Sequence, residues 1–116
     1  MTYTLRLRDI VIGWSSLNEL DAQERRARGE FRPGLGYELV EPIFVLRPET
    51  HDSADAAERD QRYRRARDTL ALSLHGRDGG MIDTARIDIY ASPLNRSALV
   101  LDVKIVDESF WRTQNG

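Results

Sequence analysis

The first residues of the chain form two short strand-like runs, of which the first alternates between apolar and polar side chains and the second is apolar throughout most of its length. Residues 2–8 place Tyr3, Leu5 and Leu7 on one face, with threonine and arginine on the other. A second apolar run, residues 10–15, follows after a single aspartate. Alternation with a period of two in the first run is typical of a strand that buries one face, and an apolar run so close behind it predicts a β-hairpin.

Two longer runs near the other end of the chain alternate in the same way. They cover residues 81–91 and residues 97–107, and each predicts a strand. The predicted buried face of the second run consists of Leu99, Leu101, Val103 and Ile105. The opposite faces of the two runs carry basic and acidic residues, which predicts modest ion pairs across neighbouring strands. These residues are Arg86, Asp88, Asp102 and Lys104.

Residues 53–70 are the stretch that predicts a long helix. They contain no glycine or proline, and they are rich in alanine and arginine, which favour helix. Acidic and basic residues recur four positions apart and can pair along the surface, as Glu58 and Arg62 do. A narrow stripe of mostly small side chains would let this helix lie across a sheet. The stripe consists of Ala56, Tyr63, Ala66 and Leu70.

The residues after this helix allow two interpretations. Three alternating leucines predict a strand over residues 70–75. The alternative is a helix that continues to Leu74 and ends at Gly76. We prefer the strand because it turns all three leucines inward, and the glycine-rich residues 76–80 then form a turn between two strands.

Residues 16–39 are the least regular part of the chain. Charged residues four positions apart favour a short surface helix in the first half. Gly29, Pro33, Gly34 and Gly36 indicate a loop in the second half. We therefore expect a long excursion from the sheet. Long loops inside compact domains often carry binding, so this segment is a candidate functional surface.

An apolar run at residues 40–47 predicts the third strand. This strand would begin at an edge or a bulge, because Pro42 has no N–H to donate to a sheet. The element order is then β-β-loop-β-α-β-β-β. It predicts an α+β fold, in which a mainly antiparallel sheet of roughly five to six strands carries one long helix packed on one face.

Composition narrows the classes to which the protein can belong. The chain has 116 residues, which predicts a single domain over residues 1–116. It has no cysteine, and so no disulfide and no cysteine-based zinc site. No apolar run approaches the ~20 residues of a membrane span, and the amino end lacks a signal-peptide pattern, so we expect a cytoplasmic protein. Arginine supplies every basic residue except Lys104, which indicates a GC-rich bacterial genome.

The sequence contains no constellation that predicts catalysis. A hydrolase needs a nucleophile, a base and a group that orients the base, whereas His51 and His75 both lie near predicted turns. The acidic neighbours of His51 do not follow a known metal-ligand spacing. Strand alternation also separates the acids within each long strand onto opposite faces, which argues against a glycosidase-like dyad. We therefore predict no cofactor and no metal site, and the sequence favours a protein without enzymatic activity.

The leading hypothesis is a non-catalytic protein-interaction domain. It would bind another protein, or a second copy of the chain, through the excursion at residues 16–39 or through the aromatic carboxy-terminal end. The candidate contact residues are Phe31, Leu35, Tyr37, Phe110 and Trp111. The first three are apolar side chains in a largely polar segment, and the last two are bulky aromatics close to the end of the chain.

Two alternatives stay open. A pocket between helix and sheet would bind a small ligand or form an enzyme scaffold, with Arg59 reaching an anionic group. The predicted walls of this pocket are Trp14, Phe44, Arg59 and Tyr63. The second alternative is nucleic-acid binding by the arginine-rich helix. Interleaved acids and a formal net charge of −2 argue against it.

Overall fold

The structure is a computed structural model that describes residues 2–45, 56–95 and 97–115. Within these residues the chain forms one antiparallel sheet of eight strands. The strands are β1 (Tyr3–Leu7), β2 (Ile10–Ser15), β3 (Glu19–Asp21), β4 (Arg26–Pro33), β5 (Leu72–His75), β6 (Met81–Ile82), β7 (Thr84–Ala91) and β8 (Leu99–Ile105). The helices are a 3-10 helix (Leu35–Leu39), α1 (Glu41–Phe44), α2 (Ala56–Asp68) and α3 (Glu108–Asn115).

The sheet curls into a nearly closed barrel because one stretch of chain belongs to both of its ends. The strand order is β6-β5-β1-β2-β4-β8-β7, and β3 pairs with β4. Although β6 and β7 stand at opposite ends of this order, only Asp83 separates them in sequence. The bent strand, residues 81–91, therefore pairs with β5 through its first part and with β8 through its second part.

Alternate residues of the strands fill one apolar core. The buried strand residues include Leu5, Ile12, Ala27, Phe31, Leu74, Ile87, Ile89, Leu101, Val103 and Ile105. Aromatic side chains from the short helices complete this core. On α3, Phe110 packs against Tyr3 with ring centroids 5.9 Å apart. On the 3-10 helix, Tyr37 packs against Phe31 at 5.5 Å.

The predicted sheet of five to six strands beneath one long helix is wrong. The described residues instead form eight strands in a nearly closed barrel, and their helices are short. The helix α2 ends at Asp68 and contacts β7 and α1. The predicted start of this helix, residues 53–55, lies outside the described residues. In a barrel the strands bury their apolar faces against one another, so the core does not require a long covering helix.

The predicted excursion at residues 16–39 is also wrong, because this segment forms β3, β4 and the 3-10 helix. On β4, Ala27, Gly29 and Phe31 face the core and alternate with charged residues. Two of these three side chains are small, so the apolar alternation is weak. A Cβ on residue 29 would lie 2.7 Å from the backbone nitrogen of Leu17, so the close approach of the chain requires glycine there.

The predicted strand at residues 40–47 is helical where it is described. Its first part forms α1, with Pro42 in the first turn of the helix. Proline is tolerated at this position because the first N–H groups of a helix have no acceptor within it. The missing N–H of Pro42 fits an edge strand equally well, so it did not distinguish the two structures. Residues 46 and 47 lie outside the described residues.

Several local predictions are confirmed. The strands β1 and β2 form the predicted hairpin. The strand β5 confirms the predicted strand for residues 72–75, though not for residues 70 and 71, and rules out a helix that continues to Leu74. The core face of β8 matches the predicted alternation. Residues 81–91 are extended as predicted, but they change pairing partner at Asp83.

Candidate functional site

An apolar surface surrounds the first residue of the 3-10 helix. Leu35 is 97% exposed, and three further exposed large hydrophobic residues lie on the 3-10 helix or on β2, which contacts it: Leu39, Ile10 and Trp14. A Cβ placed on Gly34 would lie 3.3 Å from the Trp14 ring, so the ring lies directly beside the turn. We call these four residues the Leu35 surface.

Glycines position this turn against β2. Gly34 N–H donates to the Ile12 carbonyl at 2.7 Å. A Cβ on Gly36 would lie 2.5 Å from the Val11 carbonyl oxygen and 2.6 Å from Ile10 Cγ2, so only glycine allows this approach. The next residue, Tyr37, is buried in the core. The turn is therefore held by backbone and by core packing while Leu35 projects outward.

A second cluster lies on the polar side of the sheet, around Asp102. This side chain is only 1% exposed, because donors from the two neighbouring strands, β4 and β7, cover it. Arg26 Nε donates to its carboxylate at 2.9 Å, and Arg26 Nη2 contacts it as well. Arg86 Nη2 donates at 2.9 Å and the Tyr90 hydroxyl at 2.8 Å. Burial raises the pKa of Asp102, but the hydrogen bonds from Arg26 and Tyr90 and the charge of Arg86 outweigh burial and lower the pKa from 3.8 to about 2.

Asp88 lies directly opposite Asp102 in the β7–β8 register. Two carboxylates side by side repel each other unless each has its own donors. Asp88 accepts hydrogen bonds from the Tyr63 hydroxyl at 2.5 Å and from Arg67 Nη1 at 3.2 Å. Because Tyr63 and Arg67 are four residues apart on α2, they share one helix face and join the helix to β7. We call Asp88, Asp102 and their donors the carboxylate network.

Asp88 also accepts a hydrogen bond from the backbone of β7. Ser92 N–H donates to the Ala98 carbonyl across the β7–β8 turn at 2.9 Å. Backbone groups of successive residues in a strand point to opposite sides, so those of Ile89 point away from β8. Ile89 N–H donates instead to the Asp88 carboxylate at 3.0 Å. This contact satisfies a buried backbone donor on the side of β7 that pairs with no described strand.

The sequence-predicted contact residues have different locations in the structure. Leu35 is exposed, whereas Phe31 and Tyr37 are buried against each other. Phe110 and Trp111 are also buried, and Trp111 Nε1–H donates to the Ile105 carbonyl at 2.8 Å. Four of the five side chains therefore belong to the core. A contact role for Leu35 stays a prediction.

The structure does not bring the four predicted pocket residues together as one pocket wall. Phe44 is buried on α1, and Tyr63 is buried on the neighbouring α2. Trp14 lies beside Gly34 on the Leu35 surface, and Arg59 is exposed on α2. A cavity of about 290 Å³ does lie between α2 and the sheet, but other residues line it.

Sequence reasoning missed the burial of the carboxylate network. Alternation placed Arg86 and Asp102 on the polar faces of the long strands, and the structure shows their ion pair at 2.9 Å. The contact by which Arg26 covers Asp102 was not predictable, because the sequence pattern assigned residue 26 to an irregular segment and not to a strand. The equal spacing of Asp88 and Asp102 from the turn at 92–98 was the available signal, since it makes the two acids opposite each other in a hairpin.

The arginines of α2 are partly occupied by acids of the same helix. Arg62 pairs with Glu58 at 2.8 Å, and Arg64 pairs with Asp60 at 2.8 Å. Among the described residues, no group of three or more histidine and acidic side chains could hold a metal ion. None of the described helices is long and apolar enough to cross a membrane.

Comparison with known proteins finds no matching family model, no matching curated protein and no matching solved structure. The Leu35 surface and the carboxylate network therefore provide the basis for a functional proposal. They differ in chemistry. The Leu35 surface is apolar and exposed, whereas the carboxylates of the network already have hydrogen-bond donors.

Proposed function

We propose that this protein is a non-catalytic interaction domain that docks on a partner protein through the Leu35 surface. The observation that carries the proposal is the 97% exposure of Leu35 beside an exposed Trp14. Isolated exposed leucines are ordinary on protein surfaces, but contiguous apolar patches mark interaction sites. Tryptophan is also enriched among the residues that dominate binding energy in interfaces.

The rigidity of the turn supports this proposal. Gly34 is hydrogen-bonded to β2, and Tyr37 fixes the turn to the core. Binding would therefore require little ordering of the segment that carries Leu35, and less ordering leaves more of the interaction energy as affinity. Burial of one exposed leucine side chain contributes about 1.5–3 kcal/mol, which is sufficient for a contact that strongly affects binding.

The shape of the surface indicates the kind of partner. Leu35 projects, so its partner must offer an apolar groove. The cavity beside α2 does not fit this requirement, because Arg67 and Arg86 line it. We therefore infer a different protein rather than a second copy of this chain. The exposed Arg32 pairs in register with Trp14 and gives the surface a polar rim, which is typical of interfaces.

The state of the buried acids supports the non-catalytic part of the proposal. A general base needs an accessible acceptor near its operating pH. The carboxylate of Asp102 accepts hydrogen bonds from two arginines and a tyrosine, and its pKa lies at about 2. This arrangement suits a structural role. The arginine-rich composition and the apolar patterning remain the basis for expecting a bacterial, cytoplasmic protein.

Leu35→Glu tests the proposal, with Leu94→Glu as its matched control. Leu94 is 96% exposed and lies in the turn between β7 and β8, so both substitutions replace an equally exposed leucine. The intact protein and both variants serve as baits in a lysate of the organism that encodes the chain. Binding of each recovered partner is then measured with purified components, and analytical ultracentrifugation gives the mass of each bait.

We expect a partner that binds the intact protein and the Leu94→Glu variant alike. Its affinity for Leu35→Glu should fall about tenfold or more, because a charge replaces a buried apolar contact. Equal binding by the two variants would contradict the proposal. Concentration-dependent dimerisation that disappears only in Leu35→Glu would instead identify a second copy as the occupant, and would overturn the inferred partner.

A further inference from the structure

The bent strand leaves a cavity where its two parts diverge. Its first part pairs with β5 and its second part pairs with β8, and the register shifts between Thr84 and Arg86. The end of α2 lies over the gap that results. The cavity has a volume of about 290 Å³. Its walls are Arg67, Asp68, Leu70, Leu72, Thr84, Ala85, Arg86 and Ile87.

Acids hold the two arginines of this cavity in place. Arg67 Nε donates to Asp68 at 3.0 Å, and Arg67 Nη1 donates to Asp88 at 3.2 Å. Arg86 Nη2 donates to Asp102 at 2.9 Å. A guanidinium that is fixed in this way loses little conformational freedom when it binds a further group.

Both arginines retain hydrogen-bond donors that these acids do not use. A guanidinium has five N–H donors, and the described contacts of Arg67 occupy only some of them. Arg67 Nη2 makes none of the described hydrogen bonds, and it is not among the buried unpartnered atoms of the described residues, so this nitrogen retains access to solvent. Since the Arg67 side chain is only 8% exposed and lines the cavity, we infer that this access runs through the cavity.

The acids already have enough donors of their own. Asp102 also accepts from Arg26 and Tyr90, and Asp88 also accepts from Tyr63 and its neighbouring backbone N–H. The two tyrosine hydroxyls and the backbone N–H thus occupy oxygens of Asp88 and Asp102. Those oxygens would otherwise accept further hydrogen bonds from the cavity arginines. An incoming anion would meet guanidinium N–H groups, for which few acceptors remain.

The rest of the lining combines aliphatic side chains with two polar residues, Asp68 and Thr84. The Asp68 carboxylate already accepts a hydrogen bond from Arg67 Nε. Leu70, Leu72 and Ile87 contribute aliphatic side chains, and Thr84 contributes a hydroxyl group. Small-molecule sites commonly combine an apolar wall with a few placed polar groups. The volume lies near the lower end for such sites, so a small ligand fits best.

We propose that this cavity binds a small organic anion, whose carboxylate or phosphate group contacts Arg67 and Arg86 while its apolar part contacts Leu70 and Leu72. The proposal does not depend on the Leu35 surface. Docking at Leu35 and anion binding here involve separate residues, so either can fail without the other.

Titration of the labelled protein with benzoate, phenyl phosphate and inorganic phosphate tests this site by NMR, with neutral benzamide as the uncharged comparison. The variant Ala85→Leu fills the cavity from an exposed position and removes no core contact. Its matched control is Ala91→Leu, which adds the same side chain at an exposed position on the same strand, away from the cavity. Thermal unfolding checks that both variants fold.

We expect benzoate or phenyl phosphate to shift the amides of residues 67–72 and 84–87 saturably. Binding should be equal in Ala91→Leu and about tenfold weaker in Ala85→Leu. Response to benzoate alone assigns a carboxylate ligand, and response to phenyl phosphate alone assigns an organic phosphate. Equal binding of benzamide, unchanged affinity in Ala85→Leu, or no saturable shift by about 10 mM would overturn the proposal. The mapping in the intact protein decides the question even if a variant fails to fold.

Discussion

Asp102 remains ionised although it is almost completely buried. Removal of a carboxylate from water is costly, and paired donors must compensate for that cost. Arg26 on β4 and Arg86 and Tyr90 on β7 provide them. Since donors on β4 and on β7 meet a carboxylate on β8, the ion cluster also fixes how these three strands lie relative to one another.

Acid should weaken the fold through this residue. The pKa of Asp102 is 3.8 in an unfolded chain and about 2 in the folded protein, so its contribution is complete above pH 3.8 and is lost as the pH falls through 2. The contribution at neutral pH is about 2 kcal/mol. Asp102→Asn should therefore unfold at lower urea concentration than the intact protein, and the difference should shrink as the pH falls from about 5 toward 2.

Urea unfolding at a series of pH values measures this effect. Asp9→Asn is the control, because Asp9 is an exposed carboxylate in the turn between β1 and β2. The Asp9→Asn variant should have nearly the same free energy of unfolding as the intact protein at every pH of the series. A free energy of unfolding of Asp102→Asn that differs from that of the intact protein by the same amount at every pH would contradict the account. That result would show that the charge of Asp102 does not stabilise the fold.

The sequence predicted part of this cluster. Strand alternation is enough to place Arg86 and Asp102 on polar faces, where pairing is expected. It is not enough to predict burial, because burial requires Arg26 on an adjacent strand. The same limit applies to Leu35. Its exposure depends on glycines that bring the turn against β2, and sequence pattern alone does not show that the two segments are neighbours.

At the scale of elements, β4 connects the two halves of the barrel. It pairs with β2, β3 and β8. Its core face carries Gly29, where the backbone nitrogen of Leu17 and the hydroxyl of Ser15 leave no space for a side chain. Backbone cannot move as readily as a side-chain end, so a methyl group at this position should strain the whole strand.

Gly29→Ala should destabilise the protein by about 1–3 kcal/mol, the usual cost of overpacking a core. Gly80→Ala is the matched control, since the nearest atom there belongs to the flexible Asp78 side chain. It should change stability by no more than about 0.5 kcal/mol. Chemical denaturation measures both. A Gly29→Ala variant as stable as Gly80→Ala would show that the close approach to Leu17 is absent in solution.

The strength of the local pattern decided which elements were predictable. The strands β1 and β8 alternate large apolar residues with polar ones, β2 is a nearly continuous apolar run, and all three were predicted. By contrast, β4 carries alanine and glycine on its core face, and its arginines and glutamate resemble a charged helix or loop. Pro42 was compatible with an edge strand and with a helix start, so tertiary packing had to decide between them.

At the scale of the whole molecule, the bent strand accounts for barrel closure and for the cavity. A straight strand over residues 81–91 would pair with one neighbour only and leave an open sheet. The change of partner at Asp83 joins β5 to β8 and opens the cavity beside α2. Alternation in the sequence correctly predicted that residues 81–91 are extended. It contains no information on which neighbouring strand pairs with each half of this segment.

Backbone NOEs of the bent strand test this closure most directly. We predict cross-strand NOEs from Ile82 to Leu74 and from Ile87 to Val103 in one sample, since both pairs are in register. We also predict none between Thr84 and Leu72, where the strands have diverged. Loss of the Ile82–Leu74 contact, or a ladder that continues to Thr84 and Leu72, would contradict the barrel and remove the cavity with it.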